Sequence, residues 1–247
     1  MKLAIIIPAR NEAGSLGHVL QRIPTGLAVQ IIVADNGSTD GTAAIATHAG
    51  ATVVFEPRPG YGHACLAGLA QLSPDIDTIA ILDADGSDDP QILPTLLSDH
   101  DLIITVRTLG LAKNNLSPQQ RFGNWLACFL IRWFWGYRYR DLGPLRVIRR
   151  DALERLQMRD TTWGWNVEMQ IKAVEHGLRI RQVDVPYGHR IAGKSKISGS
   201  LTGTIRAGWK ILATIGKLRF CEHRPAHHHG PVSGAREGED ASRRRDR

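Results

Sequence analysis

Only three cysteines occur in the 247 residues, Cys65, Cys128 and Cys221, and their spacing forms no pair. That excludes a disulfide framework and fits a reducing cytoplasm, with Cys65 and Cys128 expected as buried, inert thiols. No secretory leader is read at the start. The apolar run Leu3–Ile7 is too short and passes straight into Pro8, Arg10 and Glu12, as a first strand would. No apolar run is long enough to span a bilayer; even Asn124–Tyr137 falls short. Acid is scarce between residues 105 and 220. Thr105–Phe220 holds 21 Lys and Arg against 7 Asp and Glu, whereas Met1–Ile104 holds 4 against 12. A basic half could serve nucleic acid, but no nucleic-acid module accompanies it, and Arg243–Arg244–Arg245 is too short to carry that reading. No nucleic-acid partner is expected.

What is present suffices for one sizeable core: 43% of residues are apolar and 22% charged. The reading is one domain over residues 1–220, with an acidic half (1–104) suited to a cation and a basic half (105–220) suited to phosphates or anionic lipid. The polar tail 221–247 is expected to be disordered.

Short β-branched runs at Leu3–Ile7, Ile31–Asp35, Ala51–Glu56, Thr78–Asp83 and Leu102–Arg107 alternate with helical patterns near Ser15–Arg22, Thr42–Ala49, His63–Leu72 and Pro90–Leu97. Near-continuous apolar strands joined by helix-length crossovers predict an α/β fold, a mostly parallel sheet with helices on both faces. Such sheets bind ligands beyond the carboxyl ends of their strands. Polar groups gather there: Pro8–Glu12 after the first strand, Asp35–Thr42 after the second, Asp83–Pro90 after the fourth and Arg107 after the fifth. Asp83-Ala84-Asp85 places two carboxylates where a turn at Gly86 lets both reach one hard cation, Mg²⁺ or Mn²⁺. Asp35–Thr42 reads either as a tight loop that N-caps the next helix or as a loop presenting Asp35 to a nucleobase or ribose edge.

Two later segments are helical. Asn124–Tyr137 carries Trp125, Phe129, Trp133, Phe134 and Trp135 beside Arg121, Arg132, Arg138 and Arg140; it reads equally as a buried helix and as an interfacial segment. Leu201–Phe220 sets Leu201, Ile205, Leu212 and Ile215 opposite Arg206, Lys210 and Lys217, the pattern of a C-terminal amphipathic helix.

In order, Ile7-Pro8-Ala9-Arg10-Asn11-Glu12, Asp35-Asn36-Gly37-Ser38-Thr39-Asp40-Gly41-Thr42 and Asp83-Ala84-Asp85-Gly86 resemble the signature of family 2 glycosyltransferases of GT-A (Rossmann-like) fold. Asp141–Arg146, Trp163–Glu168 and Arg190–Lys196 extend the resemblance toward the polyprenyl-phosphate (dolichyl-phosphate) mannose or glucose synthase branch. The resemblance implies that Pro8, Arg10, Glu12, Asp35 and Asn36 hold the nucleoside, and that Asp83 and Asp85 hold Mg²⁺ or Mn²⁺. It implies further that Arg107, Arg146, Arg190, Ser195 and Lys196 line donor and acceptor phosphates. Two positions depart from the family pattern. Asn36 replaces a common second Asp, and Ser87 stands where a metal-ligating Gln often sits, so that Asp88 or water would substitute.

The expected activity is inverting hexosyl transfer from a GDP- or UDP-sugar to a polyprenyl phosphate or other lipid acceptor. The enzyme would be cytoplasmic and held peripherally at the inner face of the membrane. A hydroxyl acceptor is the alternative, and it requires a general base, Glu168 or Asp141. A protein that binds nucleotide-sugars without turnover is a third reading, opposed by retention of both Asp83 and Asp85. A sugar-nucleotide-forming nucleotidyltransferase is disfavoured because Pro8–Gly14 is no Gly-rich triphosphate loop.

Overall fold

The computed structural model describes residues 1–107, 117–186, 188, 190–192 and 201–221, of which 201–207 are described as backbone only. Ser195, Lys196, the loop at 193–199 and the tail beyond 221 therefore lie outside the described residues.

Seven strands form one sheet among the described residues: β1 (Leu3–Ala9), β2 (Ala28–Asp35), β3 (Thr52–Phe55), β4 (Thr78–Ile81), β5 (Leu102–Arg107), β6 (Arg146–Arg149) and β7 (Ile180–Val185), in the order β3-β2-β1-β4-β6-β5-β7. The first four pair in parallel, as the crossover pattern requires, and β5 pairs in parallel with β7. The exception is β6, wedged antiparallel between β4 and β5.

Helices α1 (Ala13–Arg22), α2 (Thr42–His48) and α3 (Tyr61–Leu69) fall where the periodicity places them. Pro90–Leu97 resolves into a 3₁₀ turn, Pro90–Ile92, and a single turn α4, Leu93–Leu96. Then follow α5 (Pro118–Trp135), α6 (Arg150–Leu156), α7 (Trp165–Glu175) and α8 (Leu201–Phe220).

The alternation of side chains along β1 explains the two cores. Ile6 packs into an apolar layer with Ala127, Ile131, Trp165 and Ile215 from the later helices, while Ile5 and Ile7 join Leu16, Val19 and Ala46 on the other face. Burial on both faces is why these strands carry apolar runs instead of an apolar–polar alternation.

Register then positions the site. Ala9 lies beside Asp35, and Ile6 beside Ile81. Pro8 and Asp83 each lie two residues further along these parallel neighbours, so the ends of both strands reach the same edge.

The aromatic segment is neither wholly buried nor wholly exposed. Ser117 caps α5 in a reciprocal capping box with Gln120, and Gly136 ends it with φ 75°. Ala127, Cys128 and Ile131 face the core, whereas Phe122, Trp125, Phe129 and Trp133 stand on the surface. Their rings run in a continuous ladder, with successive centroids 5.8, 5.5 and 6.2 Å apart.

Candidate active site

A cleft of about 500 Å³ opens at the carboxyl edge of the sheet. One wall is the turn after β1, with Pro8, Ala9, Arg10 and Glu12; the floor is Asp83-Ala84-Asp85 beyond β4. The far wall combines Asn36, Pro59, Gly60 and Tyr61 with Thr162, Trp163 and Arg190. Seven residues singled out from sequence thus line one cavity: Pro8, Arg10, Glu12, Asn36, Asp83, Asp85 and Arg190.

The carboxylates differ in surroundings. Asp85 accepts hydrogen bonds from the Ser87 amide (2.8 Å) and hydroxyl (2.6 Å), and its other oxygen pairs with Arg190 at 2.8 Å. Arg190 also reaches the Glu12 carboxylate at 3.0 Å, so one guanidinium ties the β1 turn to the β4 loop. The Gly188 amide donates to the Ser87 carbonyl and the Ile191 amide to the Asp85 carbonyl, both at 3.0 Å. Gly86 sits beneath this strap with φ 77°, and a Cβ there would meet the Ile191 side chain at 2.3 Å. Glycine is required on both counts.

Asp83 shows an edge to the cleft, yet the protein packed around it withdraws most of its solvent. Burial and then the charge of Asp85 push its carboxyl up to about 6. The Tyr61 hydroxyl donates to it at 3.3 Å. Burial, followed by the charges of Asp83 and Asp85, raises Asp88 well above the carboxylate range, and Asp88 Oδ2 is buried with no hydrogen-bond partner. Three carboxylates crowded with too few donors are costly in themselves. Among the described residues no group of three or more His, Cys, Asp or Glu has ligand geometry for a metal ion. Two aspartates nevertheless fit a hard cation that keeps water and phosphate oxygens on its remaining positions, and the orphaned Asp88 oxygen adds acceptor capacity beside them.

Four expected site residues sit elsewhere. Asp35 is buried behind the wall, where it accepts from the Ser38 amide at 2.9 Å. Arg107, at the end of β5, is clasped by Asp141, with its Nε and Nη2 donating at 2.7 and 2.6 Å. Arg146 departs from its expected place on the phosphates. It is wholly buried in β6 and donates to the carbonyls of Leu142 and Pro144, so it does not line the cleft, although its charge acts on Asp83. Glu168 does not line the cleft. It is buried on α7, accepts from the amides of Arg159 (3.0 Å) and Asp160 (2.6 Å) and pairs with Lys172 at 2.6 Å.

Sequence reasoning gave no individual role to Tyr61, Gly60, Gly62, Thr162 or Trp163. The signal for the glycines was their spacing. A Cβ on Gly62 would lie 2.0 Å from the Asp160 carbonyl, and one on Gly60 2.2 Å from that of Thr161. Two glycines therefore let the 160–163 loop dock backbone to backbone on the start of α3, with the His63 amide donating to Thr161 at 2.9 Å.

Asn36 has become a loop clamp. Its Nδ2 donates to the carbonyls of Glu56 (3.0 Å) and Arg58 (2.7 Å), and its Oδ1 accepts from the Gly60 amide at 2.8 Å. Asn36→Asp places a carboxylate oxygen against two carbonyls and should cost about 2 kcal/mol in urea unfolding. An unchanged midpoint would show that the clamp is dispensable.

The sequence model described as Glycosyl transferase family 2 matches residues 4–156. The chain is a family 2 glycosyltransferase. An uncharacterised glycosyltransferase of Mycobacterium tuberculosis is 39% identical over 85% of this chain and 98% of its own length. The undecaprenyl-phosphate mannosyltransferase of Micrococcus luteus is 29% identical, covering 82% of this glycosyltransferase and 90% of that relative. In fold, it is similar to glucosyl-3-phosphoglycerate synthase from Mycobacterium tuberculosis, solved with Mn²⁺, UDP and glucosyl-3-phosphoglycerate. That likeness has a TM-score of 0.68 at 23% identity over 91% of this chain and 81% of the other. The glycosyltransferase shares with that enzyme a mixed, mostly parallel α/β sheet of GT-A type.

Proposed function

We propose that the enzyme moves a hexose from a GDP- or UDP-sugar to a polyprenyl phosphate, with inversion at the anomeric carbon. The observation that favours a phosphate acceptor is the state of the two alternative bases. Asp141 is held by Arg107, and Glu168 by two amides and Lys172, outside the cleft. A hydroxyl acceptor needs a general base. A phosphate monoester has a second pKa of about 6 and is a nucleophile at neutral pH without one. The name of the Micrococcus relative points to the same acceptor class.

In this reading the nucleoside lies against Pro8, Arg10, Glu12 and the loop held by Asp35 and Asn36. Asp83 and Asp85 hold Mg²⁺ or Mn²⁺, which supplies neutralisation of the charge growing on the leaving diphosphate. Arg190, already poised between Glu12 and Asp85, turns its guanidinium to the phosphates, with Ser195 and Lys196 assigned to the same task by the resemblance. An acceptor phosphate oxygen forms a bond to the anomeric carbon as the bond from that carbon to the β-phosphate oxygen breaks. The electron pair leaves with the nucleoside diphosphate, and no proton needs to move. Arg107, held in place by Asp141, and the buried positive charge of Arg146 raise the potential at this edge of the sheet.

Membrane contact is proposed through the aromatic face of α5. That helix contains no acidic residue, and its exposed rings, Phe122 to Trp133, share the helix with Arg121 and Arg132. No described helix is long and apolar enough to cross a membrane. Replacing Trp125, Phe129 and Trp133 together by Ser should weaken co-sedimentation with anionic vesicles by about tenfold or more. Transfer to a short, soluble polyprenyl phosphate should be retained. Equal vesicle binding by the triple variant would remove α5 from the interface.

The reaction itself is tested by incubating the protein with Mn²⁺, a donor panel and either a short polyprenyl phosphate or the matching polyprenol. A glycosyl phospholipid in the mass spectrum, with no product from the alcohol, is expected. Product from the alcohol alone would favour the hydroxyl-acceptor reading.

A further inference from the structure

Backbone contacts on either side of Tyr61 fix its side chain in the wall of the donor cleft. Tyr61 opens α3, its ring packed against the apolar layer that holds Ile6 and Trp165 and its hydroxyl donating to Asp83 Oδ1 at 3.3 Å. Ahead of it, the Gly60 amide donates to Asn36 Oδ1 at 2.8 Å. Behind it, the Gly62 and His63 amides donate to the carbonyls of Thr162 (3.3 Å) and Thr161 (2.9 Å). A Cβ on Gly60 would collide with the Thr161 carbonyl, and one on Gly62 with that of Asp160. Gly60 also adopts φ 147°, a conformation that favours glycine. A backbone held on both flanks fixes the direction in which the side chain between them leaves it. The Asn36 clamp and the docked 160–163 loop thus converge on one phenol, and that phenol meets a carboxylate of the cleft floor.

We propose that Tyr61 is a positioning residue for the divalent cation, its hydroxyl pinning one oxygen of Asp83 so that the other faces the ion. The inference rests on the reading that Asp83 and Asp85 hold Mg²⁺ or Mn²⁺. Asp85 is arranged in the same way. Its Oδ1 is pinned by the Ser87 amide and hydroxyl, and its Oδ2 faces a cationic group, Arg190, at 2.8 Å. Asp83 Oδ1 is pinned by Tyr61, and among the described residues no donor reaches its Oδ2. Each carboxylate therefore offers one oxygen and is kept from turning by a hydroxyl on the other. Outer hydrogen bonds of this kind raise metal affinity because a ligand held in one orientation need not be ordered when the ion binds. A phenol suits the place. It is a neutral donor, so it brings no positive charge to compete with the ion, as a lysine there would.

Mn²⁺ titrated into the intact protein with saturating UDP or GDP, and followed by the paramagnetic resonance of the free ion against a nucleotide-only blank, tests this without turnover. Tyr61→Phe removes the hydroxyl and keeps the ring, and it should bind Mn²⁺ about tenfold more weakly than the parent. Its affinity for the same nucleotide in EDTA should stay within about twofold, and melting curves in EDTA establish that it is folded. A residue that only fills the cleft wall would give the reverse pattern, weaker nucleotide binding with Mn²⁺ affinity intact, and that result overturns the proposal. Unchanged affinity for both ligands in folded Tyr61→Phe overturns it as well, while leaving the metal reading in place. A parent protein that binds nucleotide but no Mn²⁺ overturns the metal reading itself, and the role of Tyr61 with it.

Discussion

Asp85→Asn is expected to lower kcat for hexosyl transfer by about a thousandfold or more while the protein remains folded. Asp85 is the carboxylate aimed by its surroundings, with one oxygen fixed by Ser87 and the other directed at Arg190 and the cleft. An amide keeps the shape and removes the charge that a divalent cation requires. Asp83→Asn should be as damaging to turnover and opposite in its effect on stability. The Asp83 carboxyl is raised from 3.8 to about 6 by burial and by Asp85. A carboxyl whose folded value exceeds its unfolded one binds protons more tightly when folded, so its ionisation costs stability. Stability from this group is fully present below the unfolded value and is lost as pH rises through about 6. Asp83→Asn should therefore melt higher than the parent at pH 7.5 in EDTA, and the advantage should vanish near pH 4. The two curves separate function from folding at one atom pair. A lower melting temperature for Asp83→Asn at pH 7.5 would mean that the site is not electrostatically crowded.

Asp141→Ala should destabilise the enzyme by about 3 kcal/mol in denaturant unfolding, far more than a surface acid would. Asp141 accepts from the backbone amide, Nε and Nη2 of Arg107, in a pair where the side chains are only 5% and 14% exposed. Removing the acid leaves a guanidinium partly out of water without its charge partner. Arg107→Met/Asp141→Leu, which removes both charges, should recover much of the loss, because a buried pair contributes little net stability against apolar groups of similar volume. The single variant also tests the base assignment. If Asp141 positions Arg107, Asp141→Ala retains activity at low temperature with weakened donor affinity. If it is a base, turnover collapses with affinity intact.

The strands and the donor side of the site were legible because they obey local rules. Leu3–Ile7 and Leu102–Arg107 carry apolar runs buried on both faces, and the two strands run out at the same sheet edge. Asp83 and Asp85 needed only strand-end logic to be found. The acceptor side was less legible for a topological reason. Arg146 looked like one more phosphate ligand, but β6 enters the sheet antiparallel, and no local pattern announces a strand paired with neighbours far away in sequence. Glu168 was misplaced similarly. Its spacing puts it on a helix, but only tertiary packing decides that its carboxylate turns to the amides of 159 and 160. Asn36 was conspicuous as a departure, and its use as a clamp on the 56–60 backbone could not be read from neighbouring residues. The α5 segment was legible in composition alone. The division into a buried Ala127–Ile131 side and an exposed aromatic ladder depended on how the helix meets α7 and α8.

The most direct test of the account is crystallographic: crystals grown with Mn²⁺ and UDP or GDP, measured at a wavelength where manganese scatters anomalously. An anomalous peak about 2.1 Å from a carboxylate oxygen of Asp85 or Asp83, with the diphosphate beside it and the nucleoside against Pro8–Glu12, is predicted. Nucleotide bound in that cleft with manganese at another place, or nucleotide bound elsewhere, would contradict it.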